Sequence, residues 1–326
     1  MLVAVTDSSS IIVTRRTVRV GGFALAADVF TPSAEERPIV LCCLPGGGMS
    51  RRYWDLMPPN DESYSFALRM VRCGVTVIAL DHVGTGESTF PPGRAPLLGQ
   101  AIAANDAAFR LLCDELAETG IGGGPIPNPR RIGVGHSMGA VLSVRQQAAY
   151  ETYDALALLG FSLAGLPAAV PAEILDATGD GPPDDELLAE LTLRMFGTPY
   201  PTVRIAVDQT RHPGDAARQT LAEAGTLLLG AGGLLSLLPG NVAQDAARLR
   251  VPVLLLNGAN DTLIGTEPGR FGTAGFDARV LPDAGHNHNI APTRELFWAE
   301  LLRWAGALPG VKSTPPVRPP AGRADA

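Results

Sequence analysis

The sequence predicts an α/β protein whose mostly parallel sheet is flanked by helices and interrupted by an inserted helical cap. Short, continuously apolar runs alternate with longer helical patterns, as expected for strands that crossover helices bury on both faces. The alternation stops over residues 161–247 and resumes afterwards. With 326 residues, 46% of them hydrophobic, the chain can build one large α/β domain that carries an insertion.

The predicted strands fall into two groups. Ile11–Val20 and Phe23–Phe30 alternate in polarity around Gly21-Gly22, which predicts an antiparallel hairpin. The later strands are short apolar runs bounded by turn residues: Ile39–Leu44, Val75–Leu80, Ile132–Val134, Ala155–Leu159, Val251–Leu256 and Ala278–Leu281. An amphipathic helix over Thr293–Ala305 closes the pattern.

Residues 161–247 contain no clear strand and are predicted to form a helical cap over the carboxyl edge of the sheet. Helical patterns cover Glu186–Phe196, Asp215–Leu229 and a glycine-interrupted stretch around Leu234. The cap would divide the core into residues 1–160 and 248–308. Residues 309–326 are rich in Pro, Arg and Ala without periodicity, and we expect this tail to be disordered.

Charge and cysteine usage narrow the class of protein. The chain has 26 Lys and Arg residues against 33 Asp and Glu residues, a net charge of −7 with no basic run, so we expect neither nucleic acid nor an anionic membrane as partner. The first residues lack the features of a signal peptide, and the longest apolar stretch, Thr226–Leu238, is too short to span a bilayer. Cys42, Cys43, Cys73 and Cys113 have no C-x-x-C spacing, which indicates buried free thiols in a cytoplasmic protein.

A nucleophile candidate lies in Gly135-His-Ser137-Met-Gly139, which matches the G-x-S-x-G pattern of a strand–turn–helix elbow. In such a turn the serine is strained, and glycines on either side let strand and helix approach. The serine hydroxyl then stands at a helix N-terminus, where the dipole favours negative charge. The flanking sequence supports this context, with a short strand before Ser137 and a helix over Ala140–Tyr150 after it. A glycine-rich turn with a structural serine is the alternative.

A serine nucleophile needs a base and an orienting carboxylate. In an elbow arrangement the acid and then the histidine follow the serine, which leaves His212, His286 and His288 as bases. We favour His286, because Gly285 allows a sharp loop after the last predicted strand. His288 is its competitor, and the polar surroundings of His212 indicate a solvated cap residue.

The acid candidate is Asp261. It follows the predicted strand Val251–Leu256 on the turn Asn257-Gly-Ala-Asn-Asp261 and precedes His286 in the chain. An ordinary turn aspartate is the alternative interpretation. The segment after Ala155–Leu159 offers no carboxylate nearby, which removes the commonest other location for the acid.

A glycine-rich loop, Pro45-Gly46-Gly47-Gly48, follows the third predicted strand. Its N–H groups could hold an acyl oxyanion together with the N–H of Met138, and we favour Gly47 over Gly46 as the second donor. A phosphate cradle is disfavoured, since neither G-K-[ST] nor G-x-G-x-x-G is present. The loop from Asp81 to Ser88 is predicted to be structural, its side chains bonding local backbone.

Taken in order, these four stretches resemble the α/β-hydrolase superfamily of the serine-hydrolase type: Pro45-Gly-Gly-Gly, Asp81-His-Val-Gly-Thr-Gly-Glu-Ser, Gly135-His-Ser-Met-Gly, and Asp261 with Gly285-His286. The resemblance covers about residues 11–160 and 248–306. It implies an eight-stranded, mostly parallel sheet, with Ser137 as nucleophile, His286 as base and Asp261 as acid. The chain departs from the family where Pro45-Gly46 stands in place of the usual His-Gly.

The predicted function is hydrolysis of a carboxylic ester or lactone of an apolar small molecule, without cofactor or metal. Possible walls of the substrate pocket are Met49, Trp54, Phe161, Met195 and Phe196. The same site would serve a thioesterase, or a carbon–carbon hydrolase, lyase or cyclase. A non-catalytic ligand-binding protein on the same fold is the alternative of another class.

Overall fold

A computed structural model describes residues 11–32, 39–90, 92–93, 95–179, 181–203, 214–262, 268–273 and 275–309. These residues form one eight-stranded sheet in the order β1-β2-β4-β3-β5-β6-β7-β8. The strands are β1 Ile11–Val20, β2 Phe23–Pro32, β3 Ile39–Leu44, β4 Thr76–Leu80, β5 Arg130–His136, β6 Ala155–Leu159, β7 Val253–Gly258 and β8 Phe276–Leu281. The β1–β2 and β2–β4 pairs are antiparallel and all other pairs are parallel. The predicted fold class is therefore confirmed.

Helices cover both faces of the sheet. They are α1 Phe66–Arg72, α2 Leu98–Glu118, α3 Met138–Tyr150, α4 Ala172–Thr178, α5 Asp185–Phe196, α6 Asp215–Glu223, α7 Gly230–Leu237, α8 Ala243–Arg248 and α9 Arg294–Ala307. Because side chains alternate along a strand, β3 contributes to two apolar layers. Val40, Cys42 and Leu44 join the layer under α2 and α3. The alternate residues of β3 join the layer under α1 and α9.

Several strand boundaries differ from the prediction by one or two residues. β7 begins at Val253 rather than Val251, and Pro252, which has no N–H to donate, uses its carbonyl to accept from Leu156 N at 2.9 Å. β5 is longer than predicted at both ends and runs to His136, directly before Ser137. The free thiols of Cys42, Cys43 and Cys113 are buried, whereas Cys73 is half-buried.

In the predicted cap region, the described residues form α4 to α8 without a named strand, and the division into core and cap stays a prediction. The predicted helix Asp215–Leu229 is wrong in its second half. It ends at Glu223, because residues 224–226 pair with the glycine loop: Thr226 N donates to Gly48 O at 2.8 Å and Ser50 N to Ala224 O at 2.9 Å. Tertiary pairing thus overrides local helix propensity.

Three sequence predictions concern residues outside the described ranges. These are the interpretation of the first ten residues as lacking a signal peptide, the solvated position of His212, and the disorder of the tail beyond Pro309. Among the helices that are described, none combines the length and apolar character needed to cross a membrane.

Candidate active site

Ser137 lies on a sharp turn between β5 and α3. Its backbone has φ 53° and ψ −118°, a left-handed conformation that costs a non-glycine residue free energy. The two flanking glycines are required by close packing: a Cβ on Gly139 would clash with Leu44 O, and one on Gly135 would lie 2.5 Å from Ala140 N. Ser137 N donates to Leu159 O at 2.8 Å, which fixes the turn to β6. The G-x-S-x-G pattern therefore corresponds to a strained elbow that presents Oγ at a helix N-terminus.

His286 lies between Ser137 and Asp261. Its Nε2 is 2.8 Å from Ser137 Oγ, and its Nδ1 is 3.1 Å and 3.0 Å from the two carboxylate oxygens of Asp261. The Asp261 side chain is fully buried and that of His286 is 17% exposed. The three predicted residues are thus brought into one hydrogen-bonded chain, although their sequence positions span 149 residues.

Local packing explains how the two loops meet. The turn after β7 is tied to the His286 loop, since Asn260 N donates to Ala284 O at 2.9 Å. Gly160, at φ +58°, closes the site from β6: a Cβ there would lie 3.1 Å from His286 Nδ1 and 3.2 Å from Asp261 Oδ2. A glycine at this position leaves room for the hydrogen bond between His286 and Asp261.

The glycine loop lies beside the elbow. A Cβ on Gly46 would be 3.3 Å from Ser137 Cβ, and one on Gly47 would be 3.7 Å from Met138 Cβ. No acceptor in the described part of the chain takes the N–H groups of Gly47 or Met138. Both donors are therefore available to an oxygen of a bound acyl group, as an oxyanion hole requires.

Two residues of the predicted cap region, Leu228 and Val203, pack against this loop. A Cβ on Gly47 would lie 2.7 Å from Leu228 Cδ1, and one on Gly48 would lie 2.5 Å from Val203 Cγ2. Leu228 is buried and also packs on Gly233 of α7. Neither side chain was predicted from the sequence, because no motif marks a residue of this region that packs on the glycine loop.

Of the five predicted wall residues, two belong to chain segments that adjoin the site. Met49 is buried where it pairs with Gly225, and Phe161 follows Gly160 directly. Trp54 is buried in the core, with its ring 5.1 Å from that of Phe66. Met195 and Phe196 are half-buried on α5 against the apolar layer.

Comparison with known proteins identifies the family of this chain. A family model described as "Alpha/beta hydrolase family" matches residues 39–297, which is most of the chain. The chain belongs to the α/β hydrolase family. It is accordingly a hydrolase, and the resemblance inferred from its motifs is confirmed.

Individual relatives have names of hydrolytic enzymes. A monoacylglycerol lipase of Mycolicibacterium smegmatis is 25% identical over 296 residues, covering 87% of this chain and 94% of the relative. A hydrolase structure from Pseudomonas aeruginosa has a TM-score of 0.55 at 21% identity and covers 90% of this chain and 98% of its own. A putative aryl esterase structure from Burkholderia cenocepacia has a TM-score of 0.57 at 18% identity, with the same coverage of 90% and 98%.

His288, the competing base, does not reach the nucleophile of this α/β hydrolase. Its ring is buried and stacks on Phe297 with centroids 4.1 Å apart. Neither of its ring nitrogens has a hydrogen-bond partner among the described residues. The same residues contain no cluster of three metal-binding side chains.

The loop from Asp81 to Ser88 lies beside the glycine loop and bonds local backbone, as predicted. Asp81 accepts from Glu87 N at 2.9 Å, and Ser88 Oγ donates to Asp81 O at 3.0 Å. His82 Nε2 is 2.8 Å from Pro45 O, so the loop supports the start of the glycine loop. One further contact was not predicted from the sequence: the guanidinium of Arg51 donates to Asp81 at 2.6 Å.

Three buried histidines make the stability of this hydrolase sensitive to acid. Burial lowers the pKa of His82 to about 4 despite its bond to Pro45, and lowers that of His288 to about 3 from an ordinary value of 6.5. Burial also lowers the pKa of His136 well below its ordinary value, with the neighbouring His286 and His288 acting in the same direction. Below pH 6.5 the unfolded chain therefore binds more protons than the folded one, so stability is full above that pH and is lost as pH falls.

Each such histidine should lower the free energy of unfolding by about 1.4 kcal/mol when the pH is changed from about 7.5 to about 5.5. In His288→Leu, this pH-dependent loss should be smaller than in wild type by that amount. Urea unfolding of both proteins at the two pH values measures the difference. An identical pH dependence in the variant would mean that His288 is protonated equally well in the folded and unfolded states.

Proposed function

We propose that the protein hydrolyses carboxylic esters or lactones of apolar small molecules through an acyl-enzyme on Ser137. The observation that carries the proposal is the position of His286, within hydrogen-bond distance of both Ser137 Oγ and the buried Asp261 carboxylate. A serine hydroxyl is a weak nucleophile until an oriented base can take its proton. The name of the relative from Mycolicibacterium smegmatis, monoacylglycerol lipase, is that of an ester hydrolase and supports the same reaction class.

In the first half of the reaction, His286 Nε2 accepts the Ser137 proton while Oγ bonds to the acyl carbon. The carbonyl oxygen becomes an oxyanion, held by the N–H groups of Met138 and of Gly47 or Gly46. Asp261 orients the imidazole and stabilises its protonated form. Nε2 then gives the proton to the leaving alcohol oxygen as the carbon–oxygen bond breaks.

In the second half, water attacks the acyl carbon and loses a proton to His286 Nε2. The second tetrahedral intermediate collapses with cleavage of the bond to Ser137 Oγ, which takes the proton back as the carboxylic acid leaves. The apolar side chains of Leu228 and Met138 beside the glycine loop favour an acyl group without charge near the carbonyl.

Exposure to a small fluorophosphonate should add one covalent adduct to the native protein, seen by intact mass. Ser137→Ala and heat-denatured protein should take up none, because labelling needs an activated Oγ in the folded site. Ser143→Ala is a matched control in α3, the helix that follows Ser137, since its buried hydroxyl donates to Gly139 O at 2.8 Å. It should label like wild type.

The result of the labelling experiment decides which substrate assay follows. If native protein is labelled, p-nitrophenyl esters of increasing acyl length and the matching acyl thioesters are compared by kcat/KM, and faster turnover of the oxygen esters is expected. Faster turnover of the thioesters would identify a thioesterase. An unlabelled native protein that still binds an apolar ester without releasing product would contradict the proposal and indicate a ligand-binding protein.

A further inference from the structure

His136, the residue before the nucleophile, lies buried beneath the site. Its Nε2 is 2.7 Å from the backbone carbonyl oxygen of His286. A carbonyl only accepts, so Nε2 carries the hydrogen and donates it. The reaction outlined above does not use this ring, since the proton passes between Ser137 and the side chain of His286.

The same ring contacts two further parts of the site. It stacks on Tyr53, with centroids 4.6 Å apart and planes 22° apart. On another side it packs against Gly46, where a Cβ would lie 2.7 Å from His136 Nδ1. One rigid side chain thus lies against the loop of the base and the glycine loop, and it is covalently next to the nucleophile.

From this geometry we infer that His136 is a positioning residue: its Nε2–H holds the backbone of His286 so that the imidazole stays in line with Ser137 Oγ. This inference rests on the proposed function, since positioning matters only if Ser137 and His286 react. Asp261 accepts a hydrogen bond from Nδ1 of the His286 ring. The ring can keep this bond while the backbone of His286 moves. The bond from His136 removes that freedom, and a displacement of about 1 Å at a reacting centre costs about 100-fold in rate.

His288 is a control that distinguishes the loss of a positioning hydrogen bond from the loss of a buried ring. It is as deeply buried as His136, and the two rings lie 5.5 Å apart. Within the described residues, however, its ring nitrogens make no hydrogen bond to the site. The same substitution at the two positions therefore removes a buried imidazole in both cases, but removes the bond to His286 in only one.

The test compares His136→Gln with His136→Asn. The glutamine amide nitrogen is as many bonds from Cβ as the imidazole Nε2, whereas the asparagine amide is one bond shorter and cannot reach the carbonyl. We expect H136N to lower kcat for a p-nitrophenyl ester about 10- to 100-fold with KM changed by less than about 3-fold. H136Q should recover kcat to within about 3-fold of wild type, and H288N should stay within the same limit.

A second readout does not need turnover. The proton between His286 Nδ1 and Asp261 should resonate far downfield in the proton NMR spectrum, and its loss in D261N would assign it. The resonance should be present in wild type, H136Q and H288N, and broadened or absent in H136N. If wild type neither labels nor turns over, the proposed function fails, and the NMR comparison alone decides the positioning role.

Wild-type kcat and an unchanged resonance in H136N would overturn the inference. So would equal losses in H136Q and H136N, since the ring's shape rather than its donor would then be responsible. Where H136N does not fold, as judged by circular dichroism, H136L takes its place, because it removes the donor without adding a polar group to the core.

Discussion

Replacing Asp261 by asparagine is expected to lower kcat by about 10⁴-fold while leaving the fold intact. The carboxylate accepts from His286 Nδ1 through both oxygens, at 3.1 Å and 3.0 Å, and its side chain is fully buried. An amide can present its NH₂ group to Nδ1, which favours the tautomer with hydrogen on Nε2. That ring cannot accept the Ser137 proton, and the positive charge that forms on it would have no counter-ion.

The measurement is kcat for a p-nitrophenyl ester together with the rate of fluorophosphonate labelling, and both should fall in parallel. Asp283→Asn is the matched control. Asp283 is exposed on the loop that leads to His286 and has φ 51°, a conformation that asparagine also adopts readily. D283N should keep wild-type rates. If D261N retained more than about a tenth of kcat, Asp261 would be a turn residue and the acid would lie elsewhere.

The sequence allowed the elbow to be predicted because its constraints are local. Few other structures place a serine between two glycines directly after a strand and before a helix. In the structure, β5 does end directly before Ser137, which has a positive φ. Asp261 and His286 could be placed by a similar argument, since each follows a strand and the carboxyl ends of parallel strands meet at one edge. The choice between His286 and His288 depended on one glycine.

What could not be predicted depends on contacts between distant segments. Nothing in Asp215–Leu229 indicates that its helix stops at Glu223, because the competing partner is the glycine loop about 175 residues earlier in the chain. Trp54 is a large apolar residue of the type that lines substrate pockets, but its ring packs on Phe66. His136 occupies an x position of the G-x-S-x-G motif, where any residue is allowed. Only the structure therefore shows that its ring donates a hydrogen bond to the carbonyl of His286.

The largest of these unpredicted features is an ion-pair network around Arg51, which is only 4% exposed. Its guanidinium pairs with Asp28 at 2.9 Å, Asp81 at 2.6 Å and Glu87 at 2.7 Å. Burial by itself would lower the pKa of Arg51, but the charges of Asp81 and Asp28 and the bonds to Glu87 and Asp81 raise it. The network therefore joins β2 and the loop after β4 to the segment that begins at the glycine loop.

Replacing Arg51 by methionine should lower the free energy of unfolding by about 3–5 kcal/mol, because it leaves the fully buried Asp81 carboxylate without its cation. Chemical denaturation measures the loss, and R303M is the control: the Arg303–Glu300 pair at 2.6 Å is largely exposed and should contribute less than about 1 kcal/mol. If an unpaired charge is the cause, D81N should be less harmful in the R51M background than in wild type, since Asp81 has already lost its cation there and keeps backbone donors such as Glu87 N. Strictly additive losses in R51M/D81N would mean that the two side chains stabilise the loops independently, through packing and backbone hydrogen bonds.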